Sequence, residues 1–329
     1  TIGIVHDFEK YPLGCTGVLV GPHHVLTSYH CLLVGSEDDP YKVDGVRETH
    51  YFTLTTTKYP HLKKTYKVIK TITLEPLDFY LNEKKKWSRK GSYKDLAMLI
   101  LPEDVGNKVG YLGKYIGGQK FKGFRGTLPQ TPDPFADHFC DNNKYDIDEL
   151  MHDMMLIDPF YYKNPYSPPQ TTELWANWGY SELDSTICQA GYPMDWFQGP
   201  DSAPIWKKKF ILVAQNNCNV KGFRLKAPVH NCSTLPGASG SPLFFKEGKE
   251  YYLVAIHSSS STTQEEIEKE EPRKERIYFS PDWHNAGALI DILYAQKQLD
   301  PQTSEPCATS QCLNFYKKIY KHNKKYIDF

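Results

Sequence analysis

Ser239, His30 and Asp95 have the types and surroundings that suit nucleophilic chemistry. Ser239 lies in Leu235-Pro236-Gly237-Ala238-Ser239-Gly240-Ser241-Pro242-Leu243-Phe244. A serine hydroxyl is a poor nucleophile by itself. It works when a base takes its proton and backbone N–H groups receive the charge that develops on the substrate. Gly237 suits the second of these roles, since without a side chain it can turn its N–H toward the nucleophile and admit a substrate closely. His30 is the candidate base, in Val25-Leu26-Thr27-Ser28-Tyr29-His30-Cys31. Asp95, in Tyr93-Lys94-Asp95-Leu96-Ala97-Met98-Leu99-Ile100-Leu101, is the carboxylate that could orient it.

Strands must position these groups. Cys15-Thr16-Gly17-Val18-Leu19-Val20-Gly21 is β-rich, Gly21-Pro22 reads as a turn, and His30 falls at the end of the strand that follows. Cys15 and Cys31 bracket that hairpin and could staple it. Asp95 heads an apolar strand, and the aromatic run after Pro242 reads as another. Chain order is histidine, aspartate, serine.

That order, in these contexts, resembles the chymotrypsin-like serine proteases. Their histidine motif, Leu-Thr-Ala-Ala-His-Cys, is matched by Leu26-Thr27-Ser28-Tyr29-His30-Cys31. Their aspartate heads an Asp-hydrophobic-Ala-hydrophobic strand, as in Asp95-Leu96-Ala97-Met98. Their Gly-x-Ser-Gly-x-Pro is met by Gly237 to Pro242. The resemblance implies an all-β chain of two six-stranded antiparallel β-barrels with a C-terminal helix. It implies a Ser239, His30 and Asp95 triad, with the N–H groups of Gly237 and Ser239 as the oxyanion hole. It calls for no cofactor and no metal. One departure stands out. Many members carry aspartate before the nucleophile, to pair with a newly cut N-terminus. Here that residue is Ala238, so activation by that carboxylate–ammonium switch has no carboxylate to use.

Length and composition bound the reading. A chain of 329 residues can bury one large core or two moderate ones. Its 39 basic and 39 acidic residues give a formal net charge of zero, so nothing points to nucleic acid as a partner. No apolar run approaches the length of a membrane-spanning helix. The chain opens at Thr1 without methionine or a signal-like segment, and reads as processed or trimmed, with any leader or pro-segment outside it. Its eight cysteines lack the close C-x-x-C spacing of a zinc site, so disulfides and a secreted or other oxidising location are expected. The resemblance implies Cys15–Cys31. Cys218–Cys232 would link strands before the nucleophile, and Cys307–Cys312 would close a tail loop. Cys140–Cys188 remains to hold an insertion.

The expected organisation is a bilobal protease domain over 1–299 and a basic extension over 300–329. The first barrel would span about 1–118 and the second, with its closing helix, about 185–299. Between them, about 119–184 reads as an acidic, proline- and aromatic-rich insertion, with a short helix over 146–157. Ala286 to Leu299 reads as the closing helix, the last thirty or so residues as a solvated tail, and Lys84 to Lys90 as a solvated basic loop or an anionic docking surface. Gln264 to Arg276 reads as an exposed charged loop.

Substrate preference follows from the resemblance. Six positions before the nucleophile, where trypsin-like members carry aspartate, stands Ser233, so a basic side chain would find no counter-charge. The motif is nearest to the glutamyl endopeptidase branch. There a hydroxyl residue five before the nucleophile, a histidine on a later strand and a serine three beyond it bind the substrate carboxylate. Thr234, His257 and Ser260 occupy those positions. The expected partners are protein or peptide substrates, with a protein inhibitor or pro-segment as a further candidate. Two rivals stand beside this reading. An α/β-hydrolase esterase needs Gly-x-Ser-x-Gly with a helix behind it, and Ser241-Pro242 does not supply that. A protease-like binding protein would need the same triad in a masked or inactive cleft.

Overall fold

The computed structural model describes residues 1–7, 14–36, 42–54, 65–87, 93–127, 186–191, 197–198, 209–210, 213–224, 227–230, 232, 234, 237–260 and 285–323. In chain order the strands are β1 (Ile2–His6), β2 (Cys15–Leu19), β3 (His24–Thr27), β4 (Leu33–Gly35), β5 (Val43–Val46), β6 (Tyr51–Leu54), β7 (Thr65–Lys67), β8 (Lys70–Thr73) and β9 (Ala97–Ile100). All but the β4–β5 hairpin form one antiparallel sheet, in the order β7-β6-β1-β2-β3-β9-β8. β7 and β8 are two halves of one bent strand. Between them the Val68 N–H donates to the His50 carbonyl at 2.9 Å and the Ile69 N–H to the Ile100 carbonyl at 3.0 Å. One half pairs with β6 and the other with β9, which closes a six-stranded barrel.

The second half adds β10 (Gly113–Ile116), β11 (Gln119–Phe121), β12 (Thr186–Gly191), β13 (Phe197–Gln198), β14 (Lys209–Phe210), β15 (Val213–Arg224), β16 (Ala227–His230), β17 (Pro242–Glu247), β18 (Glu250–Ser260) and β19 (Asn285–Leu289). The order β18-β17-β12-β15-β16-β19 returns to β18 through the β18–β19 pairing, so a second six-stranded antiparallel barrel closes. The β10–β11 hairpin joins it from outside, through a short parallel pairing of β10 with β18. The expected all-β, two-barrel architecture is the one found.

Strands β2, β3 and β9 are apolar on both faces because each face meets a different core. Leu19, Val25 and Leu99 pack inside the first barrel with Val5 and Phe52. Val18, Leu26 and Met98 pack with Leu243, Ile256 and Leu289 of the second. Each of these fully buried side chains contributes about 1.5–3 kcal/mol. The second set fixes one barrel against the other, so groups carried by different barrels can meet.

Lys114 fastens the C-terminal segment to this frame. Its fully buried Nζ donates to the Val20 carbonyl at 2.5 Å, the Gln302 carbonyl at 3.1 Å and Ser304 Oγ at 3.2 Å. Burial pulls its pKa from 10.5 down to about 7, with the Asp300 charge opposing. Between those two values the unfolded chain holds a proton that the folded one has released. Stability therefore rises with pH through this window and is flat in this term below it. Lys114→Met removes three hydrogen bonds, so it is expected to cost about 2–4 kcal/mol. Urea midpoints at pH 6 and pH 9 check the sign: the gap between wild type and variant should widen at pH 9. Parallel midpoints would contradict the assignment.

Three expectations change. Residues 286–289 are strand rather than helix, and the closing helix is Ile290–Gln296. Pairing with both β16 and β18 overrides the helical spacing of the alanines and leucines there. The tail is not wholly solvated. The Cys307–Cys312 disulfide ties the preceding chain to the first turn of a helix, Ser310–Asn323, which buries Cys312 and Tyr316, while Phe315 meets Phe121 edge-on at 5.5 Å. Residues 119–121, read as the start of the insertion, are β11 on the second sheet. Cys15–Cys31 and Cys218–Cys232 are bonded as expected. Cys188 is also in a disulfide, while Cys140 lies outside the described residues. So do the 146–157 helix and the Gln264 to Arg276 loop. No helix among the described residues is long and apolar enough to cross a membrane.

Candidate active site

His30 sits on the 3-10 turn Tyr29–Leu32, directly after β3. The Cys15–Cys31 disulfide ties this turn to the start of β2. Asp95 comes just before β9, and the pairing of Thr27 with Ala97 brings it beneath the histidine turn. Ser239 is on the turn into β17, between Gly237 at φ +93° and Gly240 at φ +84°. At Gly240 the left-handed φ would strain a side chain, and overlap of any Cβ with the Thr16 carbonyl oxygen excludes one.

The three side chains meet across the groove between the barrels. His30 Nε2 is 2.8 Å from Ser239 Oγ, and His30 Nδ1 is 2.7 Å from Asp95 Oδ2. The His30 backbone N–H donates to Asp95 Oδ1 at 2.9 Å. Asp95 is fully buried and His30 is 27 % exposed. Burial lowers the His30 pKa, but the charge of Asp95 and its hydrogen bond outweigh that and leave the imidazole above its ordinary value.

Two groups at this carboxylate and its histidine escaped the sequence reading. Ser258 Oγ donates to Asp95 Oδ2 at 2.5 Å. A register shift between His257 and Ser259 lies at this point of β18, and such bulges re-aim side chains. Ser258 is one of four consecutive serines, 258 to 261, and nothing in the sequence sets it apart from the others. The other group is Trp87, edge-on to the His30 ring at 5.7 Å and stacked on Tyr80 at 5.1 Å. Tyr80 packs on Tyr29 at 4.7 Å, and its hydroxyl donates to the Lys94 carbonyl at 2.8 Å, next to Asp95. This aromatic stack holds the histidine turn and the aspartate approach together. Lys84 and Lys85 are exposed on the turn before Trp87, and Asn82 Oδ1 accepts from the Lys84 and Lys86 N–H groups. Residues 88–90 lie outside the described residues.

His257 is buried, and its Nδ1 is 3.2 Å from Nε2 of buried His230. Burial lowers the His257 pKa to about 3, the His30 charge adds to this, and Asp95 opposes it. The ring is therefore neutral near pH 7. Thr234 is half-buried on the approach to Ser239. Ser260 pairs with Asn285 on the barrel-closing ladder, and its side chain lies outside the described residues. Cys15, His30 and Cys31 crowd together, but metals bind thiolates, and these two sulfurs are joined in a disulfide.

Two closed six-stranded antiparallel β-barrels thus hold these three side chains between them. No protein-family profile and no curated protein sequence matches the chain. Solved structures do. A Glu endopeptidase in complex with MPD is 13% identical with a TM-score of 0.42, covering 96% of this chain and 90% of that one. Protease Anisep from Arthrobacter nicotinovorans is 11% identical with a TM-score of 0.42, covering 88% and 89%. A thermostable serine protease, AL20, from an extremophilic microorganism is 13% identical with a TM-score of 0.39, covering 88% and 90%.

Proposed function

We propose that this chain is a serine endopeptidase that cleaves peptide bonds through an acyl-enzyme and prefers glutamate, less so aspartate, at P1. The observation that carries the reading is the unbroken line from Asp95 Oδ2 through both nitrogens of His30 to Ser239 Oγ, at 2.7 and 2.8 Å. Ser239 Oγ attacks the peptide carbonyl carbon as its proton passes to His30 Nε2. The charge of Asp95 holds the Nδ1–H tautomer and stabilises the imidazolium that forms. The N–H groups of Gly237 and Ser239 receive the oxyanion, and losing one such donor raises the barrier by about 3 kcal/mol. Collapse returns the His30 proton to the leaving amine. Water, deprotonated by the same histidine, then releases the acid and restores the serine.

The His230–His257 pair supports the glutamate preference. A proton on His230 Nε2 donated to His257 Nδ1 leaves the His257 proton on Nε2. A neutral donor joined by the hydroxyls of Thr234 and Ser260 would hold a carboxylate without a permanently charged pocket. The expected kcat/KM for Glu at P1 exceeds that for Lys or Phe by at least about 100-fold, or ~2.7 kcal/mol. A peptide library cleaved mainly after Lys, Arg or Phe would overturn the preference. His257→Leu should erase the Glu advantage while Ser239 still reacts with an acylating probe. The three disulfides among the described residues fit secretion or another oxidising compartment.

A further inference from the structure

We propose that Thr16 is a positioning residue for the oxyanion-binding turn, its hydroxyl holding the Gly237 carbonyl so that the Gly237 N–H keeps its aim. The inference rests on the reading of Ser239 as nucleophile and of Gly237 as an oxyanion donor.

Thr16 lies on β2 of the first barrel and is fully buried, whereas the serine turn belongs to the second. It grips that turn twice. Its backbone N–H donates to the Ser239 carbonyl at 2.7 Å, and its Oγ1 donates to the Gly237 carbonyl at 3.1 Å. The carbonyl between them, that of Ala238, accepts from the Ser241 N–H at 2.9 Å. All three successive carbonyls of the turn are thus held, and Gly237 is the one held by a side-chain hydroxyl.

The grip matters most at Gly237 because glycine has the widest backbone freedom and here sits at φ +93°. Its carbonyl lies in the peptide plane that sets its ψ. Fixing that plane from outside restrains the residue whose N–H must already point at the developing charge, since preorganisation is what makes such a donor effective. The Thr16 carbonyl in turn accepts from Thr27 Oγ1 at 2.8 Å. Thr27 is three residues before His30, so two threonine hydroxyls join the strand that delivers the base to the turn that delivers the oxyanion donor.

Thr16→Val keeps the backbone N–H, the branching and most of the volume, and deletes only the hydroxyl. The expected result is a kcat about 10-fold lower with KM within about twofold, because only transition-state binding loses a preset donor. Affinity for a peptidyl trifluoromethyl ketone, which forms a tetrahedral oxyanion, should fall by the same factor. Thr16→Ser restores the hydroxyl and should recover kcat to within about threefold. Thermal midpoints check that each variant is folded; if the valine variant is not, Thr16→Ala against Thr16→Ser makes the same contrast. Unchanged kcat in a folded variant lacking the hydroxyl overturns the proposal. So does a serine variant as impaired as the valine one, or a loss confined to KM. Wild-type protein that hydrolyses no peptide would instead overturn the endopeptidase reading.

Discussion

Ser239→Ala is expected to lower kcat by about 10⁵- to 10⁶-fold and to leave the thermal midpoint close to that of wild type. The size follows from the way the three groups act. Ser239 Oγ, 2.8 Å from His30 Nε2, is the atom proposed to form the bond to the substrate carbon. Without it no acyl-enzyme forms, and what remains is substrate binding and the oxyanion donors. The same logic makes the losses non-additive. His30→Ala alone should cost nearly as much, and the double variant little more than either, since a nucleophile without its base and a base without its nucleophile are equally idle. Progress curves on a Glu-containing peptide with active-site-titrated enzyme check this. Losses that multiply in the double variant would mean that the two residues do not work on one proton.

Asp95→Asn is expected to lower kcat by about 10⁴-fold while the protein stays folded. The three hydrogen bonds to this carboxylate explain why. Oδ1 accepts from the His30 backbone N–H, and Oδ2 accepts from the imidazole Nδ1–H and from Ser258 Oγ. An asparagine has one acceptor end. If its oxygen faces the backbone N–H, its NH2 faces Nδ1, and the ring must carry its proton on Nε2, where it can no longer take one from serine. If the amide turns over, two donors face each other at the backbone. The first arrangement disables the base, and the second, which would keep it, is disfavoured by that clash. The pH profile carries a second signature. The base works deprotonated, so wild-type kcat/KM should rise with pH through an inflection above the ordinary imidazole value of about 6.5. Removing the Asp95 charge leaves burial as the main influence on His30, so the residual activity of the variant should rise at lower pH. An inflection that stays in place would argue against the coupling.

Ser239, His30 and Asp95, which the structure brings within hydrogen-bonding reach, could be picked out because each sits in a short local pattern that had only to be read in chain order. Fold class was legible too, from β-rich runs and turns. Thr16, Ser258 and His230 were not, for a shared reason. Each acts through a contact between segments far apart in the chain, as when Thr16 meets Gly237 or Ser258 meets Asp95. Nothing in the type of a lone threonine on a strand, or of one serine among four, marks such a partner. The residues around Ala286 misled for the opposite reason. Their local spacing favours a helix, but closing the second barrel needs a strand there, and the ladder to β16 and β18 prevails. At the C-terminus the lysines drew the eye away from Cys312, Phe315 and Tyr316, whose side chains dock the helix.

The most direct test is to treat the folded protein with a fluorophosphonate and map the adduct by mass spectrometry. One adduct per chain is predicted, on the peptide containing Ser239, formed at a rate that collapses in Asp95→Asn and His30→Ala. A folded wild-type protein that takes up no label, or takes it up elsewhere, would contradict the account.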